Sequence, residues 1–181
     1  MRVRISLEQS LRLLTPGPVV LASAAHRERF TLTPIGWTTP LSARPPLVGL
    51  VVRPDRFLYE LIVASGEFGL SIVSEQEAAA LFQCGVISGR VQEDKFNACG
   101  LRAVAAQRIG APMVAEALAH LECAVLRLAE YGDHTLFVGE VLLAEADERA
   151  FDGWWGASER RPLHYLGGNR FAALGERFEV G

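Results

Sequence analysis

The sequence predicts a mainly β fold, a closed antiparallel barrel carrying short helical inserts. Compact apolar and β-branched runs outnumber helical patterns, and turn residues punctuate them. The runs do not alternate with long helices, which argues against a doubly wound sheet and for a barrel. No repeat, low-complexity tract or long linker breaks the 181 residues, so a single domain over 1–181 is expected.

Leu7, Leu11 and Leu14 recur at helical spacing after Ser6, a good N-cap, and Thr15-Pro16-Gly17-Pro18 stops the pattern. Residues 1–15 therefore read as a leading helix. Residues 19–25 form an apolar run, His26-Arg27-Glu28-Arg29 a polar turn, and residues 30–33 resume in extended form, together a β-hairpin. After Pro45-Pro46, the run 47–52 reads as a strand that ends at Arg53-Pro54. Residues 57–64 have helical periodicity with Gly66 past their end, and 68–73 return to strand.

Ser74 followed three residues later by Glu77 fits a capping box, which starts a helix running to about residue 83. Residues 85–89 read as loop, 93–99 as a short helix closed by Gly100, and 101–104 as a weak extended run. Residues 119–129 and 135–146 flank Tyr131-Gly132-Asp133-His134, the spacing of a long hairpin. The segment 147–181, with Trp154-Trp155 and several glycines, reads as irregular chain lying over the barrel or a dimer partner.

Half of the residues are apolar and 22% are charged, which excludes disorder over most of the length. A formal charge of -3 with pI near 5.8 argues against broad adhesion to nucleic acid or anionic lipid, leaving small ligands and protein partners. The three cysteines, Cys84, Cys99 and Cys123, lack Cys-x-x-Cys spacing, so neither a disulfide framework nor a zinc site is indicated. Cys84, behind an apolar helix, reads as buried and inert. No apolar h-region follows the N-terminal arginines, and no segment approaches the ~20 apolar residues of a membrane helix. A cytoplasmic protein is expected.

No G-x-S-x-G elbow, H-E-x-x-H or Walker loop is present, and His26, His120, His134 and His164 lie far apart. The chain offers no self-contained catalytic group. Instead, six blocks in order carry a resemblance: TLTPIGWTTPLSARPPLVGLVVR (31–53), EFGLSIV (67–73), SGRVQEDKF (88–96), LECAVLRL (121–128), GDHTLFVGEV (132–141) and RPLHYLGG (161–168). From about residue 19 to residue 170, the sequence resembles the flavin reductase-like, FMN-binding split-barrel family, to which the flavoredoxins belong.

The resemblance implies a Greek-key split barrel of six strands, a homodimer, and FMN held non-covalently near the dimer interface. It places Thr33, Gly36, Trp37, Thr38 and Thr39 beside the isoalloxazine, where backbone groups bond its polar edge and an aromatic packs on it. Read alone, Trp37 would be a core aromatic and the threonines loop residues. Arg53, Arg56 and Tyr59 form the next block. Relatives carry a small hydroxyl residue where Arg56 stands; Arg56 either replaces that bond with a charge-assisted one to the phosphate or points to solvent with Asp55.

Ser88, Gly89, Arg90 and Lys95 match the family's phosphate-side stretch, here one residue longer. On residue type alone, Lys95 after Glu93-Asp94 reads as a solvated helix-surface charge; it is the only lysine among 18 basic residues. His134 in the G-D-H block is the implied catalytic contact near the flavin or nicotinamide, an imidazole able to donate a hydrogen bond. Tyr165 and Phe171 are expected to close over the ring. The implied activity is that of an FMN-dependent NAD(P)H:flavin reductase passing hydride to flavin N5. Two alternatives share the fold: a non-enzymatic FMN electron-transfer protein that meets redox-protein partners, and a flavin-free binding module.

Overall fold

The computed structural model describes residues 17–151, 153–155, 159–176, 178 and 180. The expected leading helix lies outside them. Twelve strands are described: β1 (Gly17–Pro18), β2 (Val20–His26), β3 (Arg29–Ile35), β4 (Thr38–Ala43), β5 (Pro46–Val52), β6 (Glu67–Ile72), β7 (Ala103–Val104), β8 (Met113–Val114), β9 (Ala119–Tyr131), β10 (His134–Ala146), β11 (Leu163–Gly167) and β12 (Arg170–Ala173). Three α-helices join them: α1 (Phe57–Ser65), α2 (Ala78–Val86) and α3 (Lys95–Ala98).

The main sheet is antiparallel, with the order β3-β2-β6-β9-β10-β5-β4. Strands β3 and β4 follow each other in sequence yet form the two edges of that order, and no ladder joins them. The sheet curls so that β3 comes alongside β5. The barrel is therefore split where the chain crosses from β3 to β4, rather than closed by a continuous ladder. It has seven strands instead of six.

The apolar run of β2 is continuous because both of its faces are covered. Val20, Ala22 and Ala24 point into the barrel beside Leu50, Val52, Phe68 and Phe137. Leu21 points the other way, into a second core with Leu32, Leu81, Cys84, Phe96, Leu101, Val114 and Leu163. Helix α1 plugs the barrel with Leu58, Leu61 and Ile62, and it ends at Gly66 in the left-handed conformation (φ 73°), as its C-cap position requires. Gly139 lets strand and ring meet: a Cβ there would sit 2.4 Å from Phe68 Cζ.

The long hairpin forms as expected, with His134 opposite Tyr131 and Gly132 at positive φ (59°) as the first loop residue. The capping box at Ser74 is present, opening a 3-10 turn that runs into α2. Two expectations change. Helix α2 continues to Val86, so Gly85, read as loop, is helical; a Cβ there would come within 3.2 Å of Pro34, and its absence lets the helix lie close on β3. Within the segment read as irregular, β11 and β12 form a hairpin that pairs with β1. The glycines that suggested irregularity make its turn, Gly167 and Gly168 having φ of 109° and 62°. Among the described residues, no helix is long and apolar enough to cross a membrane.

Candidate functional site

The split in the barrel leaves β3 as an edge strand, with half of its backbone N–H and C=O groups outside any ladder. Beside that edge lies a cavity of about 390 Å³, bounded by Thr33, Pro34, Ile35, Gly36 and Trp37, the strand end Val51-Val52-Arg53, then Arg56, Gly85, His134 and Tyr165. Register explains the convergence. Thr135 of β10 pairs with Val52 of β5, which brings His134 beside Arg53, and Val51 donates its N–H to the Trp37 carbonyl at 3.0 Å.

Trp37 and His134 wall the mouth, with ring centroids 4.6 Å apart and planes inclined by 33°. His134 Nδ1–H donates to Asp133 at 2.7 Å, and Nε2 has no hydrogen-bond partner among the described residues. That bond holds the Asp133 carboxyl below the usual carboxylate range. Arg53 donates to Asp55 at 2.9 Å, whereas Arg56 approaches the same carboxylate only to 3.8 Å. Two guanidiniums share one acid, and the second remains available to an anion.

Thr33, Arg56 and Gly85 also line a smaller cavity of about 110 Å³, with Thr31, Ser88, Gly89, Arg90 and Lys95. Lys95, against the solvated-surface reading, is 3% exposed. No carboxylate or hydrogen-bond acceptor engages its ammonium among the described residues. Burial pushes its pKa below the ordinary lysine value, Arg56 adds to the effect, and the Cys84 and Cys99 thiols oppose it. Cys84 is buried, with its own pKa raised by burial and by its hydrogen bond with Cys99, in keeping with an inert thiol.

Thr31 Oγ1 is buried and has no partner, and a Cβ on Gly89 would collide with it at 2.1 Å. A buried cation and an orphaned hydroxyl facing one small chamber call for an anion with acceptor oxygens. Arg56, which occupies the N-cap of α1 without a side-chain cap, and Phe57, the helix's first residue, line the same chamber, so the positive end of α1 lies beside it. A phosphate fits this donor set.

Of the residues singled out in the sequence, Thr33, Gly36, Trp37, Arg53, Arg56, Ser88, Gly89, Arg90, Lys95 and His134 line these two cavities. Thr38 and Thr39 do not: they lie on β4, beyond the groove, and Thr39 Oγ1 turns to the Pro40 carbonyl. Tyr59 is not among the residues that line the two cavities; its ring packs against the barrel core, meeting Phe137 edge-on at 5.5 Å. Tyr165 reaches the ring-sized cavity and meets Phe171 at 5.6 Å with the ring planes tilted by 49°. Both also bound an apolar annex of about 290 Å³ with Leu81, Phe82 and Val86. The sequence reading missed Thr31 and Arg29. Thr31 was within reach, because the period of a strand puts it on the same face as Thr33.

The flavin reductase like domain family matches residues 11–173. The chain belongs to that family. A curated NADH-dependent FAD reductase of Streptomyces globisporus is 37% identical to this flavin reductase-like chain over 106 residues, 59% of the chain and 57% of that protein. A protein of Aeropyrum pernix is 32% identical over 92% of the chain, which spans only 64% of that relative's length. Among solved structures, an FMN-binding protein of Thermus thermophilus with bound p-hydroxybenzaldehyde superposes with a TM-score of 0.84 at 25% identity, covering 100% of this chain and 98% of that one.

Proposed function

We propose that the protein binds FMN non-covalently and acts as an NAD(P)H-dependent flavin reductase, working as a homodimer in the cytoplasm. One observation carries the reading: a ring-sized cavity on an open strand edge adjoins a small chamber that holds a buried lysine and a buried hydroxyl, both without a partner among the described residues. The named NADH-dependent relative and the FMN-binding structural neighbour support it. So does the cavity size, near the lower end of the ~300–1,000 Å³ of small-molecule sites.

In this reading Lys95, Thr31, Ser88 and Arg56 hold the phosphate, and the free backbone groups of β3 bond the polar edge of the isoalloxazine. FMN, when bound, supplies N5 as the acceptor for hydride from nicotinamide. The chain's own part is to orient and to exclude water. Trp37 and Tyr165 confine the ring, and His134, fixed by Asp133, offers Nε2 at the mouth where the nicotinamide enters. No side chain has to serve as an obligatory acid or base. Exposed Leu126 and Leu128 on β9 give a second copy apolar surface to cover.

Anaerobic addition of NADH, then NADPH, to the FMN-loaded protein tests the activity. Bleaching of the flavin absorbance by either nicotinamide is expected. A bound flavin that stays oxidised with both makes the protein an electron carrier, and a protein that takes up no flavin is a binding module of another kind.

A further inference from the structure

The apolar annex beyond Tyr165 takes no part in the site assigned to flavin. It lies between α2 and the β11–β12 hairpin, where both elements turn apolar side chains toward one hollow. Phe82 and Val86 stand one turn apart on α2 and border it, as do Tyr165 and Phe171, cross-strand partners in the hairpin. Both helix residues remain open to solvent, Phe82 at 44% and Val86 at 66% exposure, so the hollow has an entrance. Its partition from the ring-sized cavity consists of Pro34, Gly36, Gly85 and Tyr165, which border both spaces. Tyr165 packs so closely on Gly36 that a Cβ there would sit 3.3 Å from its ring.

The two cavities differ in charge. Arg53, Arg56 and His134 border the ring-sized one, whereas no charged side chain lines the annex among the described residues. An anion entering the annex would lose hydration and gain no cationic partner, while an uncharged ring would gain aromatic neighbours in Phe82, Tyr165 and Phe171. Tyr165 is the one polar side chain on that wall, and its hydroxyl has no hydrogen-bond partner among the described residues. A carbonyl or hydroxyl oxygen on the ring can take that bond. The volume of about 290 Å³, just below the ~300–1,000 Å³ of small-molecule sites, suits a single ring. We propose that the annex is a second ligand site, for an uncharged single-ring compound carrying a carbonyl or hydroxyl oxygen, which binds together with the flavin. That this compound is a substrate of the flavin enzyme rests on the flavin reading above; the preference of the annex for an uncharged ring does not.

Ligand-observed NMR titration with acetophenone and benzoate tests this, because the two have the same shape and differ in charge. In the FMN-loaded protein, where flavin fills the cationic cavity, acetophenone is expected to bind about tenfold or more tightly than benzoate. Phe82, which borders the annex and neither of the other two cavities, supplies the variants. Phe82→Glu should weaken acetophenone about tenfold and Phe82→Ala about threefold, with FMN affinity within about twofold of wild type in both. Benzoate binding as tightly as acetophenone, displacement of acetophenone by FMN, or full acetophenone affinity in both variants overturns the proposal. So does a dimer that Phe82→Glu converts to monomer in light scattering, which would make the annex an interface between copies. A protein that takes up no flavin yet binds acetophenone in a Phe82-dependent way refutes the flavin reading and leaves the annex as a ligand site.

Discussion

Lys95 is an expensive residue for the fold and a useful one for a ligand. Its ammonium is desolvated among Cys84, Cys99 and Arg56 and meets no carboxylate among the described residues, so its charge opposes folding until an anion arrives. Lys95→Met should therefore raise the stability of the flavin-free protein by about 1–4 kcal/mol, the range for exchanging buried ionic groups for apolar ones of similar size. Denaturant titration checks this. The pH dependence has a definite sign. The folded pKa lies below the ordinary value of 10.5, so between the two the unfolded chain binds more protons and stability rises with pH. The methionine variant should lack that increment, and wild-type FMN affinity should fall as pH rises through the folded value. His134 has a lesser part: His134→Ala should lower turnover by about tenfold to a hundredfold, roughly 1.4–2.7 kcal/mol of barrier, with FMN still bound. Complete loss of reduction with an intact flavin spectrum would mean that His134 delivers an essential proton.

Elements were legible where their signals are local. The capping box at Ser74 and Glu77 was visible as a four-residue pattern, and it does more than start α2. Ser74 Oγ accepts from the Gln76 N–H at 3.2 Å and donates to Glu77 at 2.6 Å, while Glu77 receives Arg160 at 3.2 Å. Ser74 also bridges to Pro162, so the cap anchors the segment leading into β11. Ser74→Ala should cost about 1–2 kcal/mol, near the upper end for N-caps, measured as a shift in the denaturation midpoint. The β11–β12 hairpin was missed for the opposite reason. Its strands are short, its turn is glycine-rich, and its first partner, β1, lies more than a hundred residues away in sequence. That Tyr59 packs on Phe137 and does not line the groove was not legible either, because helical periodicity does not reveal which face of α1 meets which neighbour.

At the scale of the whole molecule, the strand order could not be read from local pattern. Pairing of β5 with β10 and of β2 with β6 joins distant segments, and these registers bring His134 to Arg53 and open the groove at the β3 edge. The burial of Lys95 is a consequence of the same packing, which is why a residue that follows Glu93 and Asp94 looked solvated. The exposed aliphatic face of β9 belongs to this scale too: light scattering should give about twice 19.7 kDa, and a monomer that binds FMN tightly would contradict a site shared between copies. The central claim is that the groove holds a phosphorylated flavin by its phosphate. The most direct test is calorimetric titration of FMN and riboflavin into the wild-type protein and Lys95→Ala. The account predicts that wild type binds FMN about tenfold to a hundredfold more tightly than riboflavin and that Lys95→Ala loses most of that difference, the scale of one charge-assisted hydrogen bond of about 1.5–3 kcal/mol. Equal affinity of wild type for the two flavins, or a Lys95→Ala variant that keeps the full difference, would contradict it.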